Sequence, residues 1–368
     1  MHKTGTCSVQ RVLHDNRALL LEHGILYPSA GVAPHHNFML DAKQRDFNAS
    51  RLSEIVDQAR QSEIKTLLFS AECVSVLPRD ALRRLTACFA PSDSLSFVVS
   101  LRHWSSFLPS RYAQNCKRRD AQTYADYLRR ASEPSRQHLD FYYDVVLENL
   151  SETAHSVKII SFDRAVQEDG LVAAVLRAAG LPEALRKKLK EPVEHANQSP
   201  PWQRVELLRL LNGAASARLG VPENALFNAI AEGSGCDVIF DFDKRLGRLN
   251  ADHVAAAQEW LNTQAEAAPP VPAEHIHVEA RVLNAFAAQV VNLLDGRLFP
   301  VTLLARSARP VTTVTWREFQ AWNPAIASDM LDTLLKPAPA STWPSARKKP
   351  LRTGRGFLRR LRSRIAKA

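Results

Sequence analysis

The sequence predicts an α/β protein: a three-layer sandwich built on a mainly parallel sheet, with a helical C-terminal region. Short apolar runs of strand length alternate with longer segments whose apolar residues recur at helical spacing. The connections between them are short, as helix-covered parallel sheets require. With 368 residues and 45% hydrophobic content, the chain has enough apolar side chains to bury such a core.

In chain order, Val9, Val12, Leu13, Leu19 and Leu20 predict a helix from Val9 to Leu21 that ends at Gly24, a favoured C-cap residue. Ahead of it stand Met1, His2, Lys3, Thr4, Gly5, Thr6, Cys7 and Ser8. A lysine, a glycine and small hydroxyl or thiol side chains meeting the positive end of a helix dipole form the chemistry of a phosphate cradle. The same octapeptide also reads as an ordinary Ser/Thr-rich cap. It is not a Walker loop, because no G-x-x-x-x-G-K-[ST] occurs in the chain. Residues 29–50 are polar, with His35-His36 as the pair able to carry chemistry.

A helix over Arg51–Ser62 feeds the apolar run Thr66–Ser70, and Glu72 follows. A carboxylate just past the carboxyl end of a buried strand stands where open α/β sheets place ligand groups. Asp80–Phe89 reads as a helix and Leu95–Leu101 as the clearest strand, with Arg102 at its end. Trp104–Asn115 reads as a loop turning into a helix that carries Ser110. An arginine fork and a nearby hydroxyl converge readily on one anion. Helices around Gln122–Arg130 and Phe141–Leu150 precede a strand at Val157–Ser161, and the alternation runs to about Leu211.

Composition excludes several classes. Of 48 Lys/Arg, ten lie in residues 347–368, which hold no acid; the 38 acids therefore balance the remaining 38 basic residues, and the tail carries the net charge of +10. The five scattered cysteines (Cys7, Cys73, Cys88, Cys116, Cys236) show no zinc or redox spacing, which points to a reducing compartment. No apolar run is long enough to span a bilayer and no signal-peptide layout opens the chain, so a cytoplasmic location is expected.

Taken together, residues 1–212 resemble the sulfotransferases that use 3′-phosphoadenosine 5′-phosphosulfate (PAPS), and in particular a bacterial sulfotransferase-like family that opens on H-K-T-G-T-T-S. His2-Lys3-Thr4-Gly5-Thr6-Cys7-Ser8 is similar to its 5′-phosphosulfate loop. Leu101-Arg102 through Ser110-Arg111-Tyr112 is similar to its 3′-phosphate element. Lys158–Asp163 resembles the strand whose aromatic end packs on adenine, with Phe162 as the stacking ring, and Asn197-Gln198-Ser199 resembles an Asn-x-Ser element beyond it.

The resemblance implies a P-loop-NTPase-like sulfotransferase fold, PAPS as co-substrate without a metal, and transfer of a sulfuryl group to a hydroxyl or amine of a carbohydrate or glycoconjugate. Lys3 would stabilise charge on the leaving oxygen, and Thr4, Gly5, Thr6, Cys7 and Ser8 would hold the 5′-phosphate. Arg102 and Ser110 would hold the 3′-phosphate, with Ser199 a further cofactor residue. Glu72 is the first candidate for general base and His36 the second.

Two departures qualify this expectation. The sequence opens at the motif, whereas the family has a buried central strand before it; either the start lies upstream, or this is an impaired member. Cys7 replaces a threonine, and a thiol is a weaker donor to phosphate.

Residues 213–336 match no motif and read as a helical extension, with helices at Glu223–Ala231, His253–Thr263, Arg281–Leu294 and Arg317–Leu335. A Pro/Ala-rich linker at 337–346 leads to the basic tail 347–368, where Phe357, Leu358, Leu361 and Ile365 line one side. Such a segment would contact an anionic membrane surface peripherally, or stay solvated. No module for specific nucleic-acid binding is present. The rival readings are a nucleotide-binding homologue without catalysis and a membrane- or polyanion-associated scaffold acting through the tail.

Overall fold

The computed structural model describes residues 4–28, 50–62, 64–118, 120–131, 142–190, 200–222, 246–267 and 314–335. Lys3, His36, Ser199, the expected helices at Glu223–Ala231 and Arg281–Leu294, the linker and the basic tail lie outside the described residues. What is described is mixed α/β, mostly helical, with small parallel sheets.

The first expected helix forms in two pieces, α1 (Thr6–Asp15) and α2 (Arg17–Glu22). The break falls at Asn16, whose buried side-chain amide donates to Val12 O (2.8 Å) and to Lys190 O (3.0 Å) while its oxygen accepts from Lys190 N–H (3.0 Å). A side chain that satisfies distant backbone groups outweighs the small cost of interrupting one helical turn. Gly24 then turns the chain with φ 73°, a value that suits glycine, into β1 (Ile25–Leu26).

Helix α3 (Ser50–Gln61) leads into β2 (Thr66–Leu67), which pairs in parallel with β1, Ile25 opposite Thr66. The run expected as a strand to Ser70 is regular only over its first two residues; Leu68 N–H still donates to Leu26 O (2.9 Å). A 3₁₀ turn (Glu72–Val76) and α4 (Arg79–Thr86) precede β3 (Ser96–Leu101). Then come α5 (Trp104–Arg118), α6 (Tyr124–Ala131), α7 (Tyr143–Ser151) and β4 (Ser156–Ser161). Helix α5 begins at Trp104 itself and carries Pro109 inside it, so the loop expected there is absent.

Strands β3 and β4 pair in parallel, from Ser96 opposite Ser156 to Leu101 opposite Ser161. The described strands thus form two separate two-stranded parallel sheets. Side chains of the β3/β4 pair alternate between two apolar clusters: Phe97, Val99, Leu101, Val157 and Ile159 join the larger one, and Val98 and Ile160 the smaller. Helices therefore cover both faces. The smaller cluster takes α1, α2, α8 (Phe162–Gln167), α9 (Leu171–Ala178) and α10 (Glu183–Arg186).

The larger cluster holds α3 to α7 and the C-terminal helices α11 (Trp202–Leu219), α12 (Ala251–Ala267), α13 (Trp316–Trp322) and α14 (Pro324–Leu335). The single helix expected over Arg317–Leu335 is broken at Asn323, which is extended (φ −150°, ψ 93°) because a residue before proline avoids the helical region. Pro324 then opens α14, where its missing N–H costs nothing. No helix among the described residues is long and apolar enough to cross a membrane.

Candidate functional site

The register of the β3/β4 pair builds the site. Leu101 lies opposite Ser161, so the next residues, Arg102 and Phe162, leave the sheet side by side at its carboxyl end. The Arg102 guanidinium carbon sits 4.8 Å from the Phe162 ring centroid, a cation–π contact. Phe162 opens α8 rather than ending the strand: Ser161 is the N-cap, accepting from Arg164 N–H (3.2 Å).

Residues overlooked in the sequence hold Arg102. Its Nε–H donates to Ser106 Oγ (2.9 Å), one helical turn along α5. The Ser106 hydroxyl lies within donating distance of both His103 O (3.1 Å) and Asp163 Oδ1 (3.2 Å), and the other Asp163 oxygen accepts from the backbone N–H of His103 (2.7 Å). Behind them, Tyr143 OH donates to Arg102 O (2.6 Å), and Tyr143 stacks on Trp104 with ring centroids 4.5 Å apart. Ser110, the expected partner of Arg102, is buried one turn beyond Ser106. The i, i+4 spacing of Arg102 and Ser106 and the acid directly after Phe162 were the available signals.

The opening loop arrives from the other side. Gly5 adopts φ 67° at the start of α1, where a Cβ would stand 2.5 Å from Leu171 Cδ2 and 3.5 Å from Phe162 Cε2. Only glycine brings the loop this close to the ring. Thr4 is buried and Cys7 exposed. Glu72, just beyond β2, lies at the N-terminal turn of α1: its carboxylate accepts from the Thr6 hydroxyl, and Cys7 Sγ is 4.0 Å from the same oxygen. A carboxylate at a helix N-terminus is favoured by the dipole.

Gly5, Thr6, Cys7, Glu72, Arg102 and Phe162 therefore form two contacting groups, linked by the approach of Gly5 to Phe162. The donor set suits a phosphorylated ligand: helix N-terminal N–H groups and hydroxyls on one side, a guanidinium on the other. His103 is buried beside it, and desolvation holds its imidazole below the ordinary pKa while the Asp163 carboxylate pulls the other way. Among the described residues no group of three or more His, Cys, Asp and Glu side chains gathers as a metal centre.

A separate cleft of about 450 Å³, lined by Arg83, Asp93, Glu152 and His155 among others, lies at the opposite, amino end of β3 and β4. Its acids are engaged, Glu152 with Arg79 (3.0 Å) and Asp93 with Arg60. No protein-family model, curated protein or solved structure matches the chain.

Proposed function

We propose that this chain is a cytoplasmic PAPS-dependent sulfotransferase acting on a hydroxyl or amine of a carbohydrate or glycoconjugate. The observation that supports the reading is the meeting, at the carboxyl ends of parallel strands, of a glycine loop, an acid, an arginine and an aromatic ring from four distant parts of the chain. The two parallel pairs among the described residues support the α/β part of this reading.

In this reading Arg102 binds the 3′-phosphate and the α1 N-terminus the 5′-phosphate. The acceptor oxygen or nitrogen bonds to sulfur as the bond from sulfur to the bridging oxygen breaks. The electron pair stays on that oxygen, which Lys3 stabilises, and the acceptor proton passes to Glu72. The basic tail would hold the enzyme near an anionic membrane surface.

A second reading, a nucleotide binder without transfer activity, draws on one observation: the Glu72 carboxylate already engages Thr6 and approaches Cys7, the groups assigned to the 5′-phosphate.

Titration with adenosine 3′,5′-bisphosphate, AMP and ATP, followed by melting temperature, tests both. At about 100 times its dissociation constant the bisphosphate should add about 2.7 kcal/mol of stability. Equal shifts with AMP, or none, would refute nucleotide recognition of this kind. Under the enzyme reading Glu72→Gln abolishes turnover but retains bisphosphate binding; undetectable sulfuryl transfer by the unmodified chain across carbohydrate acceptors would favour the binder.

A further inference from the structure

We infer that Asp163 is the positioning residue of this site: through Ser106 it sets the orientation in which Arg102 meets the 3′-phosphate, and so gives the site its preference for a 3′,5′-bisphosphorylated nucleoside over a 5′-monophosphate. The inference rests on the nucleotide reading above and adds a selectivity device to it.

A guanidinium on a flexible stem recognises phosphate well only when its plane is fixed, because its donors lie in one plane. Contacts with Phe162 and Ser106 bear on that plane here. The Phe162 ring lies 4.8 Å from the guanidinium carbon, and Ser106 Oγ takes the Nε–H at 2.9 Å. A hydroxyl rotates freely unless its own proton is directed; its acceptors here are His103 O at 3.1 Å and the Asp163 carboxylate at 3.2 Å, of which the charged carboxylate is the stronger. Asp163 is itself held by the His103 N–H at 2.7 Å. This one carboxylate thereby ties the end of β4 to the end of β3, where Arg102 emerges.

The chain Asp163–Ser106–Arg102 makes a specific demand on variants. Ser106→Ala removes the relay and leaves the Asp163 bond to His103 intact, whereas Asp163→Ala removes both, and Asp163→Asn keeps an oxygen acceptor in place. Losing one hydrogen bond to a charged group corresponds to about a ten- to hundredfold change in affinity.

Affinities of the full chain for adenosine 3′,5′-bisphosphate and for AMP are measured for each variant. The Nε–H resonance of Arg102 is followed by nitrogen-edited NMR and assigned by its loss in Arg102→Lys. The expected result is that Ser106→Ala and Asp163→Ala each weaken bisphosphate binding about ten- to hundredfold. AMP binding stays unchanged, the double variant loses no more than either single one, and Asp163→Asn restores most of the affinity. The Nε–H line broadens through exchange with solvent in both alanine variants. Equal weakening of AMP, or unchanged bisphosphate binding, overturns the inference. If the unmodified chain shows no preference for the bisphosphate, the nucleotide reading falls. The NMR line then judges the positioning role separately, and an unaltered Arg102 signal in Asp163→Ala refutes it.

Discussion

His103 separates β3 from α5 and is 4% exposed, so its protonation must be accommodated in a dry environment beside Arg102. Burial lowers its pKa from the usual 6.5, with Asp163 partly opposing the shift. The unfolded chain therefore takes up the proton more readily than the folded one. Its contribution to stability is complete above about pH 6.5 and is lost as pH falls from there through the lowered folded value. Urea unfolding between pH 7.5 and 5 should show a falling midpoint, and His103→Gln should flatten that part of the profile; an unchanged slope would exclude His103 as its source. At this level, Arg102 and Glu72 were legible because a charged residue at the end of an apolar run is conspicuous. Ser106 and Asp163 were not, since a serine in a helix and an acid after an aromatic acquire meaning only from what they touch.

Helix α1 depends on a backbone choice made before it begins. Gly5 turns into the helix with φ 67° and offers no side chain to cap it. Gly5→Ala costs about 1–2 kcal/mol for the left-handed backbone, with a further loss as Leu171 Cδ2 is pushed from its place. The melting temperature should drop by about 1–2 °C per kcal/mol for a chain of this size. Nucleotide binding should weaken as well, because Gly5 also abuts Phe162; a variant with wild-type melting and binding would show that the loop conformation is dispensable. The helix breaks illustrate how far periodicity reaches. Pro324 in the sequence announces a boundary that an apolar pattern alone runs across. The interruption at Asn16 had no such local sign, because its partner is the backbone of Lys190, 174 residues away.

Helix α11 joins the α/β part to the C-terminal helices, and it does so through buried polar groups. Glu206, Arg209, Asn212 and Ser216 are all buried along it. Arg209 pairs with Glu206 (Nε to Oε1, 2.7 Å) and donates to Ala121 O (3.3 Å) and Val314 O (2.5 Å). Asn212 donates to Cys116 O (2.7 Å) and Asp120 O (3.0 Å). One helix thus gathers the end of α5, the following loop and the entry to α13. Arg209→Met leaves Glu206 buried without its partner and should cost about 3–5 kcal/mol in denaturant melts. The double variant with Glu206→Leu should recover much of that loss, since two apolar side chains no longer strand a charge. Additive losses would mean that the backbone contacts of Arg209, rather than the ion pair, carry its effect. The boundary placed near residue 212 falls inside α11, and apolar residues from both sides share the larger cluster.

Alternation of strand and helix, a sheet of parallel type, and the candidate positions Gly5, Thr6, Glu72 and Arg102 could be written down from residue order, because hydrophobic period and strand-end chemistry are local properties; Phe162 became a candidate only through the family resemblance. The partners of those positions could not. That β3 and β4 pair in a register bringing Arg102 onto Phe162, that Ser106 and Asp163 hold the guanidinium, and that Glu72 reaches Thr6 follow from contacts between segments up to 66 residues apart. Such contacts form only when burial and hydrogen bonding across the whole core select one arrangement from many that the local pattern permits.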